Sequence, residues 1–217
     1  MYQIKHLDLS EKVYYALKNM ILNDELKSGE KLNQEKLAQK LGVSRTPLLS
    51  AFSKLEKEIL VEIIPRRGAF VKKLNYNEFL ELYDIRARLE PLGAYEAAKN
   101  TTTHEIKRLS KILDDFKKNI TKYSSNNIVK IDYDFHMAIM KMSKNNFLFK
   151  MISSYNIILL SNLEGLLKDP HQSLEEHITI YNAIKEHNAD LADKMMFSHL
   201  IDSKGRIKEK IRESLAK

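Results

Sequence analysis

"LNQEKLAQKLGVSRTPLLSAF", residues 32–52, and "LEKEILVEIIPRRGAFV", residues 55–71, are the stretch on which the fold turns. Asn33 suits the N-cap of a short helix over "QEKLAQKL", because its side chain can accept from the unpaired N–H groups of a first turn. Gly42 ends that helix, since glycine adopts left-handed backbone without a steric penalty. "GVSRTPLLSAFSKLEKEIL" then starts another, with Ser44 as cap and Pro47 in the first turn, where its missing N–H costs nothing. Helix, tight glycine turn, helix at this spacing is a helix-turn-helix. "VEII" and "AFVK" follow as two short β-prone runs around "PRRG", which predicts a hairpin with two arginines at its tip.

Working outward, apolar residues Val13, Leu17, Met20 and Ile21 recur at helical spacing and predict a first helix from Ser10, its cap, to Leu26. Three helices and a basic hairpin over residues 1–74 make a winged helix-turn-helix. "KKLN" at 72–75 is the expected joint. Beyond it no strand pattern occurs, only helical stretches near 76–98, 103–123, 126–143, 146–168, 171–187 and 189–214. "KNTTTHE", "YSSNN", "SKNN", "KDPHQ" and "HNAD" separate them with turn and capping residues. Six helices with short connections predict an antiparallel bundle over residues 75–217. The fold class is therefore mainly α, with one small β-hairpin wing.

Bulk properties agree. The chain has 217 residues, 43% hydrophobic and 30% charged, with only six Gly and four Pro. It has no cysteine, so disulfides and thiolate ligands are excluded and any metal must be held by nitrogen and oxygen. Residues 1–74 carry 14 Lys and Arg against 9 Asp and Glu, the remainder 22 against 20. A basic first third fits a polyanionic partner. "MYQIKHLDLS" lacks an apolar signal-type core, and "IILL" at 157–160 is far too short to span a bilayer. The expected compartment is the cytoplasm, with no membrane partner.

Residues 8–73 resemble the DNA-binding domain of GntR-type bacterial regulators, through "GVSRTP", "LVEIIPRRGAFV" and their separation. The resemblance implies double-stranded DNA as partner, with the helix after Gly42 in the major groove and the "PRRG" wing in the minor groove. Ser44, Arg45, Thr46, Arg66, Arg67 and Gly68 would then be the contacts. Their chemistry fits: a helix N-terminus offers N–H groups to phosphate, arginine can pair with guanine, and a wing-tip glycine allows close backbone approach. Two departures stand out. Leu49 occupies a position where the family usually has Arg, and Glu35, between Gln34 and Lys36, occupies another. An altered operator preference follows, because a bidentate arginine supplies about 1–3 kcal/mol of base discrimination.

The second region raises its own question in "IDYDFHMAIM", residues 131–140. Asp132 and His136 lie four apart, on one helix face flanked by Ile131, Phe135, Ile139 and Met140. The pair could ligate a metal, hydrogen-bond in the core, or mark a solvated edge. His177 falls with Leu174, Ile178 and Tyr181, and His199 with Ala192, Met196 and Leu200, each on an inner face. His6, His104, His171 and His187 look like bystanders. Arg86 shares a face with Leu82, Leu89 and Gly93, so it needs an anionic partner. That partner is a carboxylate of the bundle, such as Asp132 or a Glu of its own helix, or an acidic small molecule.

"LYDIRARLEPLGAYEAA" resembles the opening helix of the ligand-sensing FCD domain in the FadR-like branch of the same family. Metal-binding members of that branch carry D-x-x-x-H on one helix, a second His in an E-H-x-x-I context, and a last His on the final helix. The resemblance therefore implies Asp132, His136, His177 and His199 as ligands for Zn²⁺, Ni²⁺, Mn²⁺ or Fe²⁺. It implies Arg86 as a contact for a small carboxylate effector. It also implies a homodimer reading a pseudo-palindromic operator, with a repressor's role. A metal-dependent hydrolase and a purely structural metal are the alternatives, though no separate general base, nucleophile motif or phosphate-cradling loop is visible.

Overall fold

The structure, a computed structural model, describes residues 9–121, 125–162 and 168–215. The chain divides into two compact units, Met1–Lys73 and Leu74–Lys217. In the first, α1 (Leu9–Leu22) buries Val13, Tyr14, Leu17, Met20 and Ile21 against α3. The expected helix end at Leu26 is four residues too long: Asp24 turns left-handed (φ 57°) and the chain leaves the helix there. Ser10 lies inside α1 rather than at its cap.

The helix-turn-helix follows its local signals. α2 (Gln34–Leu41) is capped by Asn33, whose Oδ1 accepts from the Lys36 N–H at 3.0 Å, and it stops at Gly42 with φ 65°. α3 (Arg45–Lys57) starts after Ser44, whose backbone is extended and whose hydroxyl makes no capping bond. Its buried Leu48, Ala51, Phe52 and Leu55 form one stripe at helical spacing. β1 (Val61–Ile64) pairs antiparallel with β2 (Gly68–Val71), Val61 opposite Val71 and Ile64 opposite Gly68. The second strand therefore begins one residue earlier than "AFVK". Arg66 (φ 62°) and Gly68 (φ 108°) carry the positive dihedrals that turn the chain tightly.

The second unit is helical throughout its described residues: α4 (Tyr76–Asn100), α5 (Thr103–Thr121), α6 (Ser125–Met142), α7 (Asn146–Ser154), α8 (Ile157–Asn162), α9 (Pro170–Lys185) and α10 (Ala189–Leu215). A reciprocal capping box fixes the start of α4: Asn75 accepts from Glu78 N–H while the Glu78 carboxylate accepts from Asn75 N–H. The single helix expected over 146–168 is two. Asn156 adopts φ 51°, which breaks the backbone ladder between α7 and α8, and residues 163–167 of that stretch lie outside the described residues. The expected "YSSNN" break likewise lies partly outside them. α4 and α10 share the longest seam, with α5, α6 and α9 packed around them. Gly93 of α4 sits where a Cβ would fall 2.2 Å from the buried Met140 Cε, so α6 approaches α4 closely beside the polar residues described next.

Candidate metal centre and nucleic-acid face

Four helices of the second unit each contribute inward polar side chains to one buried cluster. α4 supplies Arg86 and Glu90, α6 supplies Asp132 and His136, α9 supplies Glu176 and His177, and α10 supplies His199. The rings of His136, His177 and His199 lie 4.8 to 5.2 Å apart between centroids. One nitrogen from each falls within 4.8 Å of the others. Asp132 stands beside them, its Oδ1 3.6 Å from His177 Nε2. Phe135 stacks on His177 at 4.1 Å and Phe116 meets it edge-on, so the wall around the cluster is dry.

Carboxylates anchor two of the three rings from behind. His136 Nδ1 lies 2.6 Å from Glu90 Oε2, and His199 Nδ1 lies 2.6 Å from Glu176 Oε2. A carboxylate on Nδ1 favours the tautomer whose proton sits there, which leaves the Nε2 lone pair available to a ligand. His136 Nε2 is buried with no hydrogen-bond partner, and so are both ring nitrogens of His177. An unpaired buried polar atom costs about 1–3 kcal/mol, so several facing one another in one spot mark a place built for something else to fill. Burial pushes the His177 and His199 imidazoles well below their usual range, and nearby imidazoles, Lys168 and Arg86 push the same way. Neutral imidazoles are the ligating form, so the donor set fits a divalent transition metal.

Arg86 is 2% exposed, and its guanidinium bonds Glu90 on the same helix and lies 4.9 Å over the Tyr83 ring. Of the expected partners, a Glu of its own helix, Glu90, bonds it, and the charge of Asp132 also acts on it. Burial alone would raise the Glu90 carboxyl, but the Arg86 charge and the hydrogen bonds from Arg86 and His136 hold it well below the usual carboxylate range. Sequence reasoning missed Glu90, Glu176 and Lys168, whose amine bonds both Glu176 and the His199 carbonyl. It also placed Ile178 on the inner face, whereas Ile178 points outward because the buried stripe of α9 runs through Ser173, Leu174, His177 and Ile180. His104 and His171 are exposed, His187 is held by the Ala98 carbonyl at 2.8 Å, and His6 lies outside the described residues.

In the first unit, Ser44, Arg45 and Thr46 are exposed at the start of α3, and Arg66 and Arg67 are exposed at the wing. One groove brings four of the six expected contacts together: Arg45, Arg66, Arg67 and Gly68 line it with the first turn of α2, Glu35 included, while Ser44 and Thr46 stand outside its lining. Leu49 is 48% exposed on the outer face of α3.

Residues 81–202 match the sequence model of the FCD domain, and residues 9–71 match that of bacterial regulatory proteins of the gntR family. The chain belongs to the GntR family, in its FCD-domain branch. It pairs a GntR-type DNA-binding domain with an FCD domain. It is 35% identical over 105 residues to the uncharacterised HTH-type transcriptional regulator YdhC of Bacillus subtilis, a match covering 48% of this chain and 47% of YdhC. The gluconate operon transcriptional repressor of the same organism is 32% identical over 106 residues, 49% of this chain and 43% of the repressor. The chain spans about half the length of the curated relatives it matches. The solved structure of Escherichia coli McbR/YncC superposes with a TM-score of 0.81 at 20% identity, over 95% of this chain and all of that one, a likeness of fold. This GntR family and these relatives are regulators rather than enzymes, which removes the hydrolase alternative. No described helix is long and apolar enough to cross a membrane.

Proposed function

We propose that this GntR chain is a ligand-gated transcriptional repressor, acting as a homodimer, whose FCD domain senses a small carboxylate through a bound divalent metal. The observation that carries the reading is the convergence of three buried imidazoles, His136, His177 and His199, with ring nitrogens of His136 and His177 left unpaired. Asp132 completes the ligand set. The ion is Zn²⁺, Ni²⁺, Mn²⁺ or Fe²⁺, all of which accept imidazole and carboxylate donors. Once bound it supplies Lewis acidity, a grip on a carboxylate oxygen. Formal charge supports a monoanion: Arg86 and Lys168 against Glu90, Asp132 and Glu176 leave the cluster one unit negative, and a divalent ion makes it one unit positive. Arg86 then contributes orientation and charge to the same anion.

The DNA-binding half rests on the groove shared by α3 and the wing. Ser44, Arg45 and Thr46 read the major groove and its phosphates, while Arg66, Arg67 and Gly68 reach the minor groove. Two copies related by a two-fold axis read a pseudo-palindromic operator. Effector binding shifts the balance between two arrangements of the FCD helices, a coupling typically worth about 1–3 kcal/mol. The repressor role follows the named gluconate operon repressor among the relatives. The test is metal content of protein purified without a chelating tag, beside the His136→Ala, His177→Ala double variant. Stoichiometric metal in the first and little in the second is expected. Equal content in both removes the sensor reading.

A further inference from the structure

α4 turns one long stripe outward. Glu81, Ile85, Arg88, Leu92 and Lys99 recur at helical spacing on a single face, and all five are exposed. Ile85 is 46% and Leu92 42% exposed. α10 extends the apolar surface with Phe197 and Ile201, themselves exposed. The Arg88 guanidinium lies 5.9 Å over the Phe197 ring, and Lys204 bonds Asp84 across the seam, so the two helices present one continuous face. Four large apolar side chains in one exposed patch mark an interaction surface rather than scattered surface residues.

The charge order along the stripe says what covers it. Its ends carry opposite charges, Glu81 at the N-terminal end and Lys99 at the C-terminal end, with Ile85, Arg88 and Leu92 between them. An antiparallel copy of the same helix reverses that order. When Glu81 is set against the partner's Lys99, the same register sets Ile85 against the partner's Tyr95 and Leu92 against the stem of the partner's Arg88. A two-fold axis makes each of these pairs twice, as an isologous interface requires. Another exposed apolar stripe, Phe147 and Met151 of α7 with Tyr155 at its C-cap, has no such order, because Lys150 is the one charge on that helix.

We propose that Ile85 and Leu92 of α4, with Phe197 and Ile201 of α10, form the surface on which a second copy of this chain packs, α4 antiparallel to α4. The assignment rests on the homodimer reading and names its surface. Sedimentation of the full chain over a dilution series tests it, with circular dichroism to verify folding. Leu92→Arg should weaken self-association by at least about 100-fold, since it sets a second guanidinium against the partner's Arg88, twice per dimer. Glu81→Lys and Lys99→Glu should each weaken it about 2–30-fold, as each breaks two symmetric pairs. The Glu81→Lys, Lys99→Glu double variant should return to near the original constant. A dimer unmoved by Leu92→Arg, dissociation by Phe147→Asp alone, or a double variant no better than the singles overturns this surface while leaving the homodimer reading standing. A natural chain that stays monomeric at every concentration overturns both.

Discussion

Replacing Glu90 by Gln is the most informative single change, because Glu90 holds two parts of the cluster at once. It is fully buried, bonds Arg86, and lies 2.6 Å from His136 Nδ1. Attraction between unit charges about 4 Å apart is about 4 kcal/mol at an effective dielectric of 20, while removing both charges from water costs several kcal/mol per ion. The cost of the two ions matches or exceeds that gain, so the pair as a whole adds no stability. Removing one member is different, because the remaining guanidinium then sits buried without the carboxylate that bonds it, with Asp132 offsetting its charge only in part, at a cost of up to about 3–5 kcal/mol. For a helical unit of this size that lowers the melting temperature by about 10–20 °C. Glutamine also makes a weaker acceptor for His136 Nδ1, so metal affinity should drop about 10–100-fold. Urea unfolding and competitive chelator titration read the two effects separately. Adding Arg86→Met to Glu90→Gln should recover most of the stability and none of the metal affinity. A single variant within about 1 kcal/mol of the parent, with unchanged metal affinity, refutes the reasoning.

Leu49→Arg puts a bidentate donor on the exposed face of α3 and should tighten binding to a G-containing operator by about 1–3 kcal/mol, measured by fluorescence anisotropy at fixed salt; unchanged affinity and sequence preference would place Leu49 away from the DNA. Asn33→Ala should cost about 1 kcal/mol in urea unfolding, because it deletes an observed cap, whereas Ser44→Ala should cost much less because Ser44 makes no capping bond; equal losses would contradict the cap geometry. In metal-free protein His177 and His199 have depressed folded-state pKa values, so the unfolded chain holds more protons below its ordinary imidazole value. Stability is then fully present above about pH 6.5 and falls as the solution is acidified, with a slope approaching about 2.7 kcal/mol per pH unit for two groups. Unfolding in chelator from pH 5 to 8 checks the sign, and His177→Gln should halve the slope.

What the sequence makes legible here is what local chemistry decides. Asn33, Gly42 and Pro47 announce the helix-turn-helix because caps and breakers act within a turn or two. Asp132, His136, His177 and His199 stand out because each is polar on an otherwise apolar helix face. Glu90 stayed hidden, since a Glu four residues after an Arg looks like an ordinary surface pair. Only the close approach of α6 at Gly93 reveals its burial, though its position on the Arg86–Gly93 face was a usable signal. Glu176 and Lys168 were hidden for the same reason, their role depending on where α10 places His199. The Tyr155–Asn156 break was missed because Asn reaches left-handed backbone without the glycine or proline that usually advertises it.

The claim on which the sensor reading depends is that His136, His177 and His199 jointly hold one metal ion. X-ray absorption of the untagged protein at the edge of its bound metal measures this directly. Three imidazole nitrogens are expected at about 2.0–2.1 Å if the ion is zinc, with oxygen completing the shell, and the imidazole signal should vanish in the His136→Ala, His177→Ala variant. A shell of oxygen alone, or an imidazole signal untouched by that variant, would contradict it.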